Sequence, residues 1–380
     1  MVDLGDKRKL VHFLISSCEL LNKCKNEDEK VAVSNYIANL YYSIESVLNI
    51  KFIEKKKNNN IFGNRRNYRK ITKKLDRYYS NMLDSFFQFK AFSKDYFQQI
   101  LVEVENDLQS VNNGIYYTFS NLSKNDFFDI FYQFMRSIHL DKLFDYYWNN
   151  NLIYSVLYSN NQNDLGYTLF NPINKESSIY ITDFSYDIHS LFVLAHEFGH
   201  IYDFGILDQN ITIFNQYYYQ SFSDETYSIL FERLLFRFML NNNIHVEECR
   251  DNYLSMLLNR HDLLLRAYIL SLLDNNYYLN DNYLSLSRSE LANIVKDHFV
   301  TESDITDFII HTYTFDLRSE YTYAFGDILS IFLKNQYDDL VYDFNMKRAN
   351  LDIQKYLVDN RLGPTEYIKY YKDELKLIKK

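Results

Sequence analysis

The sequence contains very few residues that interrupt helices. Proline occurs twice and glycine eight times in 380 residues, and these two residues are the least compatible with a helix interior. Hydrophobic residues make up 47% of the chain, which is typical of a folded protein rather than a disordered one. A chain that is long and apolar enough to bury a core, and that has so few helix breakers, favours a mainly α-helical fold.

Cysteines and long apolar runs are also scarce. The three cysteines, Cys18, Cys24 and Cys249, are too few and too scattered for a disulfide framework or a thiolate zinc site. No stretch approaches the roughly 18 uncharged apolar residues that span a bilayer, and the N-terminal residues lack the apolar core of a signal peptide. We therefore expect a cytoplasmic protein with reduced thiols and no membrane partner.

The charge balance is acidic, with a formal net charge of −9, which speaks against nucleic acid as the main partner. Residues 51–79 are the exception. They contain eleven Lys and Arg against Glu54 and Asp76, a local charge of +9. Such a run is usually a solvated loop and helix face. The alternative interpretation is a module that binds an anion or nucleic acid.

Hydrophobic periodicity divides the chain into two parts. Residues 1–150 alternate apolar and polar positions at helical spacing, which predicts a helical N-terminal lobe. Between 151 and 183, the segments "LIYSVLYS", "GYTLFN" and "SIYITDF" are short, β-branched and aromatic. They predict an antiparallel sheet of two to four strands. Helices resume at Ser185, so residues 151–380 form the predicted second domain.

The stretch "LFVLAHEFGH", residues 191–200, carries two histidines four positions apart on a predicted helix that Ser185 can cap. His196 and His200 project from one face, one turn apart, and can occupy adjacent corners of a tetrahedral zinc. Glu197 lies about 100° further round and can act on a water molecule without ligating the metal. This arrangement is that of the HExxH metallopeptidase motif.

A catalytic zinc needs a third protein ligand and one open position. The segment "SFSDETYSILFERLLFRFML" supplies a carboxylate in Glu225, 25 residues after His200. Glu225, Ser228 and Glu232 fall on one face of an otherwise apolar helix. We predict that Glu225 is the third ligand, and that Ser228 and Glu232 orient the ligands. The alternative is an exposed acidic patch at a helix start.

"AHEFGH" followed by "ETYSILFE" resembles the oligoendopeptidase F and thimet oligopeptidase family of zinc peptidases. "GYTLFN" with "SSIYITDFSYDIHSLF" is similar to that family's glycine loop, edge strand and helix start. "HTYTFDLRSEYTYAFG" resembles its block of substrate-contacting histidine and tyrosines, and aligns His311, Tyr321 and Tyr323 with functional positions. The resemblance covers about residues 160–335. Two positions depart from the family pattern, Asp203 and Asp316, and the chain is shorter than usual for the family.

The resemblance implies two helical lobes around a substrate channel, with the small antiparallel sheet beside the zinc helix, and a catalytic domain over residues 151–380. It implies a zinc-dependent endopeptidase that hydrolyses short unstructured peptides. Glu197 would move the proton of the attacking water, and His311 and Tyr323 would bind the developing oxyanion. Tyr313 or Tyr321 would take the role of the phenol that the family has at the position of Asp316. An edge strand near Ile179–Asp183 would pair with the substrate.

Two alternatives stay open at this point. One is a related HExxH zinc carboxypeptidase that removes single residues. The other is a non-catalytic helical protein that binds peptides and uses zinc only for structure, although the sequence shows no fourth ligand at a suitable spacing. The sequence carries no signal for the oligomeric state.

Overall fold

The computed structural model describes residues 2–4, 23, 93–104, 107–108, 121–156, 166–171, 176–182, 184–207, 225–273, 287–296, 301, 303–305, 317–335 and 353–379. Helices account for 79% of these residues. The prediction of a mainly α-helical fold with one small sheet is therefore confirmed. In this part of the chain, no helix has the length and apolar character needed to cross a membrane.

The strands and helices follow one another along the chain in a simple order. The elements are β1 (Val2–Leu4), α1 (Lys124–Ser137), α2 (Asp141–Asn149), β2 (Ile153–Val156), β3 (Gly166–Asn171), β4 (Glu176–Thr182), α3 (Ile188–Leu207), α4 (Thr226–Asn241), α5 (Val246–Leu272), α6 (Arg288–Val295), α7 (Leu317–Asn335), α8 (Ile353–Asp359) and α9 (Pro364–Lys379). Residues 93–104 are also helical.

The chain groups into two compact units. The first, here called the sheet unit, comprises residues 1–80 and 119–219 and contains the sheet and α1–α3. The second, here called the helical unit, comprises residues 81–118 and 220–380 and contains the helical segment 93–104 and α4–α9. The predicted division into a lobe of residues 1–150 and a domain of residues 151–380 stays a prediction, as does the channel between two lobes.

The sheet has four strands in the order β1-β2-β4-β3. β3 and β4 form an antiparallel hairpin, as predicted, but β2 runs parallel to β4 and β1 runs parallel to β2. The prediction of an antiparallel sheet is therefore wrong, and the sheet is mixed. The physical reason is that side-chain alternation reports which face of a strand is buried, but not its direction or its neighbours.

The strand expected at the edge of the sheet lies inside it. β4 pairs on one side with β2 and on the other with β3, so its backbone is occupied on both sides. Among the described strands, β3 is at the edge of the sheet. The expectation that Ile179–Asp183 pairs with a substrate is therefore wrong for residues 179–181, and Asp183 lies outside the described residues.

Side chains on the two faces of the sheet differ in character. Tyr154, Tyr180 and Tyr167 lie opposite one another on β2, β4 and β3, and their rings stack at centroid distances of 4.9 and 5.0 Å. Such cross-strand aromatic pairs fix strand register. The other face presents Ile179 and Ile181, both buried, and α3 packs on β3 and β4.

Helix α3 is apolar on most of its surface, which is typical of a buried helix. Away from the sheet, the Phe198 ring lies 5.3 Å from the ring of Phe131 in α1 and 5.9 Å from that of Phe144 in α2. Asp187 caps the helix, since its carboxylate accepts a hydrogen bond from the Ser190 N–H at 2.7 Å. The expected cap, Ser185, instead donates its hydroxyl to Asp187.

The helical unit encloses a cluster of charged side chains among α4, α5, α7 and α9. At its centre is Arg233, whose side chain has no exposed surface. Arg233 pairs with Asp327 at 2.5 Å and with Glu374. The described members of this buried charge cluster are Arg233, Arg260, Lys334, Glu232, Asp327 and Glu374, three cations and three anions that neutralise one another.

Tyrosine hydroxyls complete the hydrogen bonding of this cluster. Tyr253 donates to Glu374 at 3.0 Å, and Tyr367 donates to Asp327 at 2.5 Å. Burial by itself raises the pKa of Glu374, but the attraction of Arg233 and Lys334 and their hydrogen bonds outweigh it and hold the pKa at about 2, below the ordinary 4.5. A buried charge is tolerated only when it is paired in this way.

The lowered pKa of Glu374 predicts an acid-dependent stability. A carboxyl group whose pKa is lower in the folded state stabilises the fold above the unfolded pKa, and this contribution is lost as the pH falls from about 4.5 towards 2. We expect Glu374→Gln to lower the free energy of unfolding at pH 7 by about 3–5 kcal/mol, since Arg233 and Lys334 lose their partner. Urea denaturation at several pH values measures this.

The difference in the free energy of unfolding between Glu374→Gln and the wild type should become smaller as the pH falls from about 4.5 towards 2. Asp373→Asn on the same helix is the matched control. Its exposed pair with Lys376 at 2.7 Å is worth at most about 1 kcal/mol. If the difference in the free energy of unfolding between Glu374→Gln and the wild type stays constant from pH 7 to pH 3, the lowered pKa of Glu374 is contradicted.

Candidate metal centre

The two predicted metal-binding histidines project from adjacent turns of α3. The ring centroids of His196 and His200 lie 4.9 Å apart, with their planes at 79°. Both side chains are half-buried, whereas Glu197 between them is only 3% exposed. The helix therefore leaves the imidazoles partly accessible and turns the carboxylate towards the sheet.

Strand β3 supplies the contacts of the Glu197 carboxylate. The Thr168 hydroxyl donates a hydrogen bond to Oε2 of Glu197 at 2.6 Å. A Cβ atom on Gly166 would lie 2.8 Å from Oε1 of Glu197 and 2.9 Å from Cγ1 of Val193. Any larger residue at position 166 would therefore require the side chains of Glu197 and Val193 to shift. The sequence analysis predicted neither the hydrogen bond of Thr168 nor the close approach at Gly166. A glycine at the start of a strand was the one feature of the sequence that indicated such an approach.

The carboxylate predicted to complete the site stands at the N-terminus of α4. Glu225 is the residue before the first helical position, and its side chain does not cap the helix. Glu225 is thus the N-cap of α4, and its backbone carbonyl accepts the hydrogen bond of the first helical turn from the Ile229 N–H at 3.1 Å. Gly326 of α7 contacts it closely, since a Cβ atom there would lie 2.7 Å from the Glu225 Cβ and 2.9 Å from its carbonyl carbon.

His196, His200 and Glu225 form the metal-binding group found among the described residues. One ligand atom from each lies within 4.8 Å of the other two. Two imidazoles and one carboxylate are also a donor set that zinc accepts. The residues therefore fit a zinc ion.

The two residues predicted to orient the ligands are both buried. Ser228 has no exposed surface, and Glu232 is 5% exposed. Glu232 pairs with Arg260 of α5, which also lies 3.7 Å from Asp327. Glu232 and Arg233 are thus the two members of the buried charge cluster that lie on α4, the helix that begins directly after Glu225.

Tyr321 and Tyr323 lie on the first turns of α7. Tyr321 is fully buried and packs on Phe325 and on Phe97, at a ring distance of 5.9 Å from the latter, whereas Tyr323 is partly exposed. Burial raises the pKa of the preceding Glu320 to about 7, and Arg266, 4.0 Å away, opposes that rise. His311, Tyr313 and Asp316 lie outside the described residues. Asp203 is buried on α3.

Comparison with known proteins gives similarities of fold only. No family model and no curated protein matches this sequence. Among solved structures, the chain is similar to a "putative peptidase from Chlamydophila abortus", with a TM-score of 0.46 and 16% identity over 97% of this chain and 63% of that one. It is also similar to a "putative oligoendopeptidase F from Bacillus anthracis str. Ames", with a TM-score of 0.45 and 15% identity over 94% and 64%.

The chain spans less than two thirds of the length of either of these structures. The function of this chain is therefore inferred from its own residues.

The close contact between Gly326 and Glu225 can be tested by substitution. We expect Gly326→Ala to destabilise the fold by about 1–3 kcal/mol, because the new methyl group meets backbone atoms that cannot move independently. Gly205→Ala is the matched control. Gly205 lies in α3 with nothing within 4 Å of a Cβ, so alanine there should be neutral or stabilise by up to about 1 kcal/mol. Equal urea midpoints for Gly326→Ala and Gly205→Ala would contradict the close contact between Gly326 and Glu225.

Proposed function

We propose that this protein is a zinc-dependent peptidase that hydrolyses short, extended peptides. The observation that supports the proposal is that one ligand atom from each of His196, His200 and Glu225 lies within 4.8 Å of the other two. Glu197, between the two histidines, adds the base that peptide hydrolysis requires. A purely structural zinc would need a fourth protein ligand, and the group found among the described residues contains three.

In this proposal His196, His200 and Glu225 would hold the metal. Zinc held there supplies the Lewis acidity that makes water nucleophilic near neutral pH. Glu197 accepts the proton of the attacking water and returns it to the leaving amine. Its low exposure favours this role, because few solvent molecules then compete for the carboxylate.

The developing oxyanion requires hydrogen-bond donors aimed at the scissile carbonyl. His311, Tyr321 and Tyr323 are the proposed donors. Of the two phenols, Tyr323 is favoured because its side chain is partly exposed, whereas the Tyr321 ring is enclosed by aromatic neighbours.

The sheet offers a surface for an extended substrate. β3 is at the edge of the sheet among the described strands and passes directly beside Glu197. A peptide that adds to such an edge is held by main-chain hydrogen bonds, which accept many sequences. We therefore propose β3, rather than β4, as the strand that aligns the substrate, and unstructured peptides as the substrate class.

Metal content tests the ligand assignment. We expect one zinc per chain in the wild type and a loss of zinc affinity in Glu225→Ala that exceeds the roughly 10–100-fold cost of changing an outer-shell residue. Glu247→Ala is the matched control, because Glu247 is also a glutamate near a helix start but is exposed. It should bind zinc normally. Full zinc occupancy in Glu225→Ala after dialysis against a weak chelator would refute the assignment.

Cleavage of defined peptides tests the activity. Glu197→Gln should keep its zinc and lose about 10²–10⁴ in kcat, because the amide cannot accept a proton from water. A peptide of about ten residues with blocked termini serves as substrate, and mass spectrometry maps the products. Internal cleavage supports an endopeptidase, and stepwise release from a free C-terminus supports the related carboxypeptidase. Equal turnover by Glu197→Gln and wild type would exclude a metallopeptidase.

A further inference from the structure

We propose that Thr168 is a positioning residue that holds the Glu197 carboxylate in its reactive orientation. The inference rests on the proposed function, because it assigns Glu197 the role of the base. Its physical basis is the 2.6 Å hydrogen bond from the Thr168 hydroxyl to Oε2 of Glu197. Both residues belong to the sheet unit, and each lies on a regular element, β3 or α3.

The hydroxyl has one proton to donate and two acceptors within reach. Oε2 of Glu197 lies at 2.6 Å, and the backbone carbonyl oxygen of the same residue lies at 3.3 Å. The shorter contact takes the proton, because a hydrogen bond to an ionised carboxylate is the stronger one. Threonine is also β-branched, so few side-chain rotamers are open to it on a strand. The donor is therefore fixed before the carboxylate meets it.

Gly166 completes the arrangement on the same face of β3. Residues two apart on a strand point to the same side, and Gly166 leaves the space beside Oε1 unfilled, where any Cβ would lie 2.8 Å from that oxygen. Thr168 thus holds one carboxylate oxygen, and the missing side chain at position 166 leaves room beside the other.

The hairpin keeps Gly166 and Thr168 at these positions. Gly166 pairs with Ile181 and Thr168 pairs with Ile179 of β4. Both isoleucines are buried, so a shift of one residue would turn them out of the core and rotate Thr168 away from α3. The core of the sheet therefore determines the direction in which the hydroxyl points.

The test compares variants at position 168 in zinc-loaded protein. Thr168→Val keeps the shape and removes the hydroxyl, and it should lower kcat by about 10–100-fold, the cost of a small misplacement of a reacting group. KM and zinc content should stay at wild-type values. Thr168→Ser restores the hydroxyl and should recover most of the rate. Ser178→Ala is the control, since it removes a hydroxyl from the face that carries Tyr180 and should leave kcat unchanged.

A second measurement does not depend on activity. In zinc-free protein, Thr168→Val and Glu197→Ala each break the same hydrogen bond, so their effects on the urea midpoint should be non-additive in the double variant. If the wild type is active and Thr168→Val has the same kcat, the role of Thr168 is refuted while the proposed function stands. The same holds if the changes in urea midpoint of the two single variants add up in the double variant. A wild type that binds zinc without cleaving any peptide would overturn the proposed function, while non-additive midpoints would still support the contact.

Discussion

A carboxylate on an apolar helix can be buried only if polar groups from a neighbouring element satisfy it. Glu197 is such a carboxylate, and its partner is a hydroxyl on β3. That contact requires the strand to lie against α3, and Gly166 permits the close approach. The order of the sheet, the stacked tyrosines on its far face and the aromatic contacts of Phe198 all serve to hold α3 against β3.

The helical unit applies the same rule on a larger scale. Arg233 lies without exposed surface on a helix that is otherwise apolar, and it requires Asp327 and Glu374 from two other helices. Since the cluster pairs three cations with three anions, removal of any member leaves an uncompensated charge in the core. Two members of the cluster, Glu232 and Arg233, belong to α4, the helix that begins directly after Glu225. The cluster thus stabilises the helix that presents the proposed third ligand.

Local features of the fold were predictable from the sequence, and relations between distant segments were not. The helical character, the strand positions around "GYTLFN" and the helix that carries His196 and His200 follow from periodicity. The parallel pairing of β2 with β4 and the interior position of β4 do not, because they depend on where the chain crosses the sheet. The contact between Thr168 and Glu197 was not predictable for the same reason. The residue pattern of a strand does not indicate which helix residue a given side chain contacts. Charged residues inside apolar runs, such as Arg233 and Asp327, indicate buried ion pairs. The sequence does not show which residues pair with one another.

The central claim is that His196, His200 and Glu225 bind one zinc ion beside Glu197. The most direct test is anomalous diffraction from crystals of zinc-loaded protein, measured on both sides of the zinc absorption edge. The account predicts one strong anomalous peak at about 2.0–2.2 Å from a ring nitrogen of each histidine and from a carboxylate oxygen of Glu225. A peak coordinated by other residues, or no peak at these three side chains in crystals that contain zinc, would contradict it.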